Sequence, residues 1–65
     1  MIEIHNETEY TNEELAAMRW VEMETLHSKY STLVITVYYN LEHNLCKNEY
    51  NYGARVDAID YYEAE

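Results

Sequence analysis

The largest side chains available to this chain are eight tyrosines and one tryptophan, with no phenylalanine, so the rings in its core must carry a polar tip. Such a ring is buried at low cost only where its hydroxyl or indole N–H keeps a hydrogen-bond partner. In 65 residues that requirement is severe. A chain of this length buries only about 60% of the surface its unfolded form exposes. Burial at roughly 25 cal/mol per Å² then nearly cancels an ordering entropy of about 1.5 kcal/mol per residue. Disulfides, a metal or oligomerisation commonly supply the remainder. Cys46 is the lone cysteine, so an internal disulfide is excluded and a homodimer or a stable complex with a target is expected.

There is no proline, Gly53 is the sole glycine, and no repeat or low-complexity run marks a linker, so residues 1–65 read as one small domain. Thr11-Asn12-Glu13-Glu14 has the form of a capping box, with Tyr10 and Leu15 placed to staple the helix start. Glu13 and Glu14 suit the positive end of the helix dipole. At 100° per residue Leu15, Ala16, Trp20, Met23, Leu26 and Tyr30 fall on one face, which predicts a helix over 12–29. Residues 32–41, Thr-Leu-Val-Ile-Thr-Val-Tyr-Tyr-Asn-Leu, are β-branched and aromatic and predict a central strand. The helix is expected on its Leu33, Ile35, Val37, Tyr39, Leu41 face rather than on the Val34, Thr36, Tyr38, Asn40 face. A polar loop is expected over 42–48, then an antiparallel strand over 49–59, with a short helix over 54–63 as its rival. Ile2 and Ile4, alternating with Glu3, suit an edge strand. The expected class is α+β, in β-α-β-β order: one amphipathic helix packed on a small, mostly antiparallel sheet.

Thirteen carboxylates against four Lys or Arg leave a formal net charge of −9. Such a chain repels phosphates, which disfavours direct nucleic-acid binding and anionic membrane surfaces. A basic protein surface is the favoured partner, approached at a salt-sensitive rate. The longest apolar run, residues 33–39, is far short of the roughly 20 residues of a membrane span. With no signal-peptide pattern at the N-terminus and one unpaired cysteine, a cytoplasmic location is expected.

His43 and Cys46 are three residues apart, but a zinc site needs four such ligands at characteristic spacing, and no second close pair accompanies them. As a nucleophile and base they would also need an orienting group, an oxyanion hole and a pocket. Asp57 and Asp60 make a carboxylate pair of a kind that arises by chance at this acid density. No metal, no cofactor and no catalysis are expected.

The rings and acids carry the functional reading. Tyr10 and Tyr30 are expected in the staple and the core. Tyr38, Tyr39, Tyr50, Tyr52, Tyr61 and Tyr62 remain as binding anchors, beside Glu49, Asp57, Asp60 and Glu63, with Glu22 and Glu24 on the outer helix surface. The bland counterpart is a solvated acidic face that keeps a small protein soluble. The expectation is a small acidic inhibitor or modulator that binds a nucleic-acid-binding or nucleic-acid-processing protein by mimicking DNA. In general character, though through no shared motif, it is similar to phage-encoded host-takeover proteins. The alternative is a structural or adaptor module acting through homodimerisation or a non-basic partner, with Ala17, Met18 and Val21 forming a second apolar strip on the helix.

Overall fold

The capping box at Thr11 forms as the sequence predicts, but the helix it starts is less than two turns long. In the computed structural model, which describes residues 2–65, the Glu14 N–H donates to Thr11 Oγ1 at 3.1 Å. The Thr11 N–H donates to the Glu14 carboxylate at 2.9 Å. These hydrogen bonds hold the Glu14 carboxyl below its ordinary pKa. Helix α1 spans Asn12–Ala17 and stops at Met18, whose backbone is extended. The Trp20 indole N–H then donates to the Leu15 carbonyl at 2.9 Å, folding the chain back under the helix.

Five strands make up most of the rest: β1 Glu3–Asn6, β2 Val21–His27, β3 Leu33–Asn40, β4 Leu45–Tyr52 and β5 Arg55–Glu63. They form one mixed sheet in the order β1-β5-β4-β3-β2. Consecutive strands from β2 to β5 pair antiparallel, and β1 closes the far edge parallel to β5. This overturns the expected β-α-β-β domain built around one amphipathic helix. Among the described residues the chain is mostly sheet, and no helix reaches seven residues.

The largest correction falls on residues 18–29. Glu, Met and Leu favour helix there, yet Val21–His27 pairs along β3, whose β-branched run offers a complete ladder of backbone partners. Met23 and Leu26 are consequently exposed on a strand, and Tyr30, at the β2–β3 hairpin tip, is 95% exposed instead of core. The β3 span agrees with the sequence reading, although β4 is the middle strand. The expected loop over 42–48 shrinks to the turn after Asn40, because Leu45 already begins β4. The expected 49–59 strand is a hairpin. Gly53, at φ 69°, opens the two-residue turn between Tyr52 and Arg55, as the primed hairpin turns require. Residues 55–63 are strand, which removes the rival helix. The edge strand around Ile4 is present.

Residues directly opposite one another across a sheet share a face. Leu45 lies opposite Asn40, and Lys47 lies between Tyr38 and Tyr61, so these residues belong to one face. Leu15 of α1 plugs that face between Leu45 and Tyr61, with Tyr10, Met18, Trp20 and Ile59 packed around it. The helix therefore covers the Tyr38, Asn40 side of β3, not the Leu33, Ile35, Val37 side expected of it. Asn40 is buried there because both ends of its amide are used. Its Nδ2 donates to the Arg19 carbonyl at 2.8 Å, and its Oδ1 accepts the His43 N–H at 2.7 Å.

Leu15→Ala removes the plug and is expected to cost about 2–5 kcal/mol, whereas Tyr30→Ala should change stability by less than about 0.5 kcal/mol. Urea unfolding followed by Trp20 fluorescence measures both, and a Tyr30→Ala loss as large as that of Leu15→Ala would contradict this architecture.

Candidate functional site

The sheet sorts the predicted binding residues onto two faces with different chemistry. On the helix face, Glu22, Tyr38, Lys47, Tyr61 and Asn6 form one row across all five strands. The Lys47 ammonium lies 4.5 Å from the Tyr38 ring centre, 5.1 Å from the Trp20 ring centre and 2.9 Å from the Glu49 carboxylate. Trp20 in turn packs on Tyr61 with ring centres 5.8 Å apart. The Lys47 side chain is only 12% exposed, so one of the chain's four Lys and Arg residues is withdrawn from the surface and neutralised internally. Tyr38 and Glu49 thereby hold this cation, and Tyr61, packed on Trp20, is part of the core. Burial raises the pKa of both phenols, with Glu49 adding to it, and Glu22 adds to it for Tyr38.

The opposite face carries no layer of secondary structure among the described residues. Tyr39, Cys46 and Tyr62 share one row on it, and Tyr50 and Ala58 share another with Glu3. Three of its rings anchor their tips on nearby side chains, two across the β4–β5 pair and one in the β3–β4 turn. The Tyr50 hydroxyl donates to Asp60 at 2.9 Å, the Tyr62 hydroxyl donates to Asn48 at 3.0 Å, and the Tyr39 hydroxyl donates to the side chain of Asn44. The Asp60 bond raises the Tyr50 pKa most, followed by burial; burial leads for Tyr62, ahead of Cys46. Among the described residues no buried side-chain nitrogen or oxygen lacks a hydrogen-bond partner. A chain whose large rings all carry polar tips meets its main constraint in this way.

An open depression on this face gathers Glu3, His5, Tyr50, Tyr52, Asp57 and Asp60. Asp57 occupies an irregularity in the β4–β5 ladder and meets Arg55 at 3.2 Å, an exposed pair of small energetic weight. Glu3 and His5, 3.1 Å apart, were not singled out by the sequence reading. They enter through the parallel β1–β5 pairing; their alternation with Ile2 and Ile4 was the available signal, but it does not say which strand they join.

The remaining predicted residues are dispersed. Glu24 lies opposite Val37 on the open face and Glu22 opposite Tyr38 on the helix face, with a bulge between them. Glu63 sits opposite Leu45 near the end of β5. Ala17, Met18 and Val21 make no common strip, because the helix ends between them: Ala17 is its last residue, Met18 packs on the core, and Val21 is exposed on β2. His43 and Cys46 are separated as well. His43 Nδ1 is 3.4 Å from the Tyr10 hydroxyl beside the helix, while Cys46 belongs to the open face. Among the described residues no three His, Cys, Asp or Glu side chains gather as metal ligands would, and no helix is long and apolar enough to cross a membrane. No protein-family model matches the sequence, and no curated protein or solved structure matches it.

Because Tyr38, Tyr50, Tyr61 and Tyr62 all have raised pKa values, folding favours their neutral forms. Their contribution to stability is complete below the unfolded-state tyrosine pKa of about 10 and is lost as the pH rises through the folded values. Phenolate absorbance should therefore develop at higher pH in the native protein than in urea, with stability falling above about pH 10. Superimposed native and denatured titrations would refute this.

Proposed function

We propose that this chain is a small acidic binding module that docks the tyrosine–carboxylate half of its open face, on β4, β5 and β1, onto the basic surface of a nucleic-acid-binding protein. The carrying observation is the depression in which Tyr50 and Tyr52 stand among Glu3, Asp57 and Asp60. Three properties suit that reading. The rings are held on a sheet rather than on mobile loops, so little side-chain entropy is lost on docking. Tyrosine supplies broad apolar contact with a polar tip, the character favoured in binding anchors. Carboxylates on adjacent strands, about 4.8 Å apart across the sheet, give a compact negative field on a chain of net charge −9. A basic groove built to receive phosphates accepts such a surface in their place, and the module then competes with nucleic acid for it.

Proteins captured on the immobilised chain should be released by added salt and displaced by duplex DNA. An Asp57→Asn, Asp60→Asn double variant keeps the hydrogen-bonding shapes and removes two charges. At about 0.2–1 kcal/mol per exposed charge contact, it should weaken capture roughly two- to thirtyfold. Glu13→Gln on the helix should change it less than about twofold. Capture indifferent to both salt and DNA would sink the proposal.

A further inference from the structure

The tyrosine–carboxylate site ends at an open edge. Strand β1 borders the sheet, and among the described residues no strand pairs with its outer side. The Glu7 N–H donates to the Tyr61 carbonyl at 2.9 Å. Ile4 and Asn6 stand opposite Ile59 and Tyr61 in the parallel register. Along a parallel ladder successive residues turn their backbone groups to alternate sides. His5 therefore turns its N–H and carbonyl towards β5, while Ile4 and Asn6 turn theirs outward, where no strand meets them.

The two edges of the sheet are not equivalent. Edge strands are commonly blunted by a bulge, by Lys or by Pro. On β2 a bulge between Glu22 and Glu24 interrupts the ladder. Strand β1 keeps an unbroken register over its length and holds neither Pro nor Lys. Its carboxylate, Glu3, turns away an acidic strand, including the same edge of a second copy, and admits a basic one.

The two faces of β1 also differ. Glu3 and His5 lie opposite Ala58 and Asp60 on the open face, continuous with the depression that holds Tyr50, Tyr52 and Asp57. Ile4 lies on the helix face opposite Ile59, which packs on the core. Ile4 is nevertheless 40% exposed, and Ile2 47%. The edge thus presents acid on one face and aliphatic surface on the other.

We propose that β1 is a docking edge on which an extended basic segment of the partner adds to the sheet as a sixth strand. This rests on the basic-partner reading and names the form the partner takes: a strand that alternates Lys or Arg with aliphatic residues. Its outward-facing backbone partners on β1 are Ile4 and Asn6. Its basic side chains fall on the open face, about 4.8 Å from Glu3 with Asp60 one strand further in. Its aliphatic side chains fall on the helix face and cover Ile4. Backbone hydrogen bonds hold such a strand, and the alternation of side chains selects it. The net charge of −9 draws the basic segment in.

Nuclear magnetic resonance titration of the isotope-labelled protein with a blocked, alternating Lys-Val peptide tests this. The Ile4 and Asn6 amides should gain protection from hydrogen exchange, while His5, already bonded to β5, should change little. The same peptide N-methylated along its pairing side keeps its charge and loses its donors, so it should bind at least about tenfold more weakly. Ile4→Pro removes an outward N–H and no ladder bond, and it should weaken peptide binding with native circular dichroism. Equal affinity for the methylated and unmethylated peptides would overturn the edge proposal and leave the basic-partner reading standing, as would protection confined to β2. Ile4 and Asn6 amides already protected in the free protein would overturn it too. An alternating Glu-Val peptide that binds as tightly as Lys-Val would instead remove the charge argument on which both readings rest.

Discussion

The fold depends on the burial of Leu15 between Leu45 and Tyr61. The capping box exists to deliver this one side chain. It rigidifies a helix too short to stand alone, and the Trp20 indole N–H then ties the Leu15 carbonyl to the returning chain. Trp20 cannot reach that carbonyl unless the helix stops at Ala17. Once it stops, Val21 enters β2 alongside β3. Helix termination, the tryptophan tuck and the start of the meander are thus consequences of placing one leucine.

Around that plug the polar tips of the rings decide how the rest of the molecule is built. On the helix face Trp20 and Tyr38 are held by a cation, Lys47, which Glu49 neutralises. On the open face Tyr50 and Tyr62 are held by hydrogen bonds across the β4–β5 pair, and Tyr39 by one to Asn44 in the β3–β4 turn. The second arrangement lets a tyrosine-rich chain bury ring surface while giving the hydroxyls partners. Together the two arrangements dispose charge unevenly: Lys47 is drawn inward, while Glu3, Asp57 and Asp60 remain around an open depression.

The two halves of the open face bear on the two readings that composition raised. Acid and tyrosine gather on β4, β5 and β1, while aliphatic side chains gather on β2 and β3. In the sequence these appeared as alternatives. In the structure the two kinds of surface occupy neighbouring halves of one face.

Several local features were legible without coordinates: the capping box from Thr11 to Glu14, the β3 strand and the edge strand around Ile4. Each rests on a short-range rule, whether a hydrogen bond between residues three apart, β-branched density, or two-residue alternation. The candidate site was legible only in part. Tyr50, Tyr52, Asp57 and Asp60 were named from the sequence. Tyr38, Glu49 and Tyr61 were named beside them but serve Lys47 and the core, and Glu3 and His5 were passed over. Facing relations between strands distant in the chain depend on register, and register is a tertiary property.

The sequence by itself determined the chain's charge, its need to satisfy polar-tipped rings, the start of α1 and the extended run of β3. Tertiary structure decided the fate of residues 21–27, which have helical spacing and helix-favouring side chains but become β2. An isolated helix there would gain only local hydrogen bonds, whereas β3 offers a ladder already held by β4 on its other side. It also decided which side of β3 faces the helix. Leu15 packs where Leu45 and Tyr61 meet across β4 and β5, so the helix covers that face and the more aliphatic face of β3 is left open.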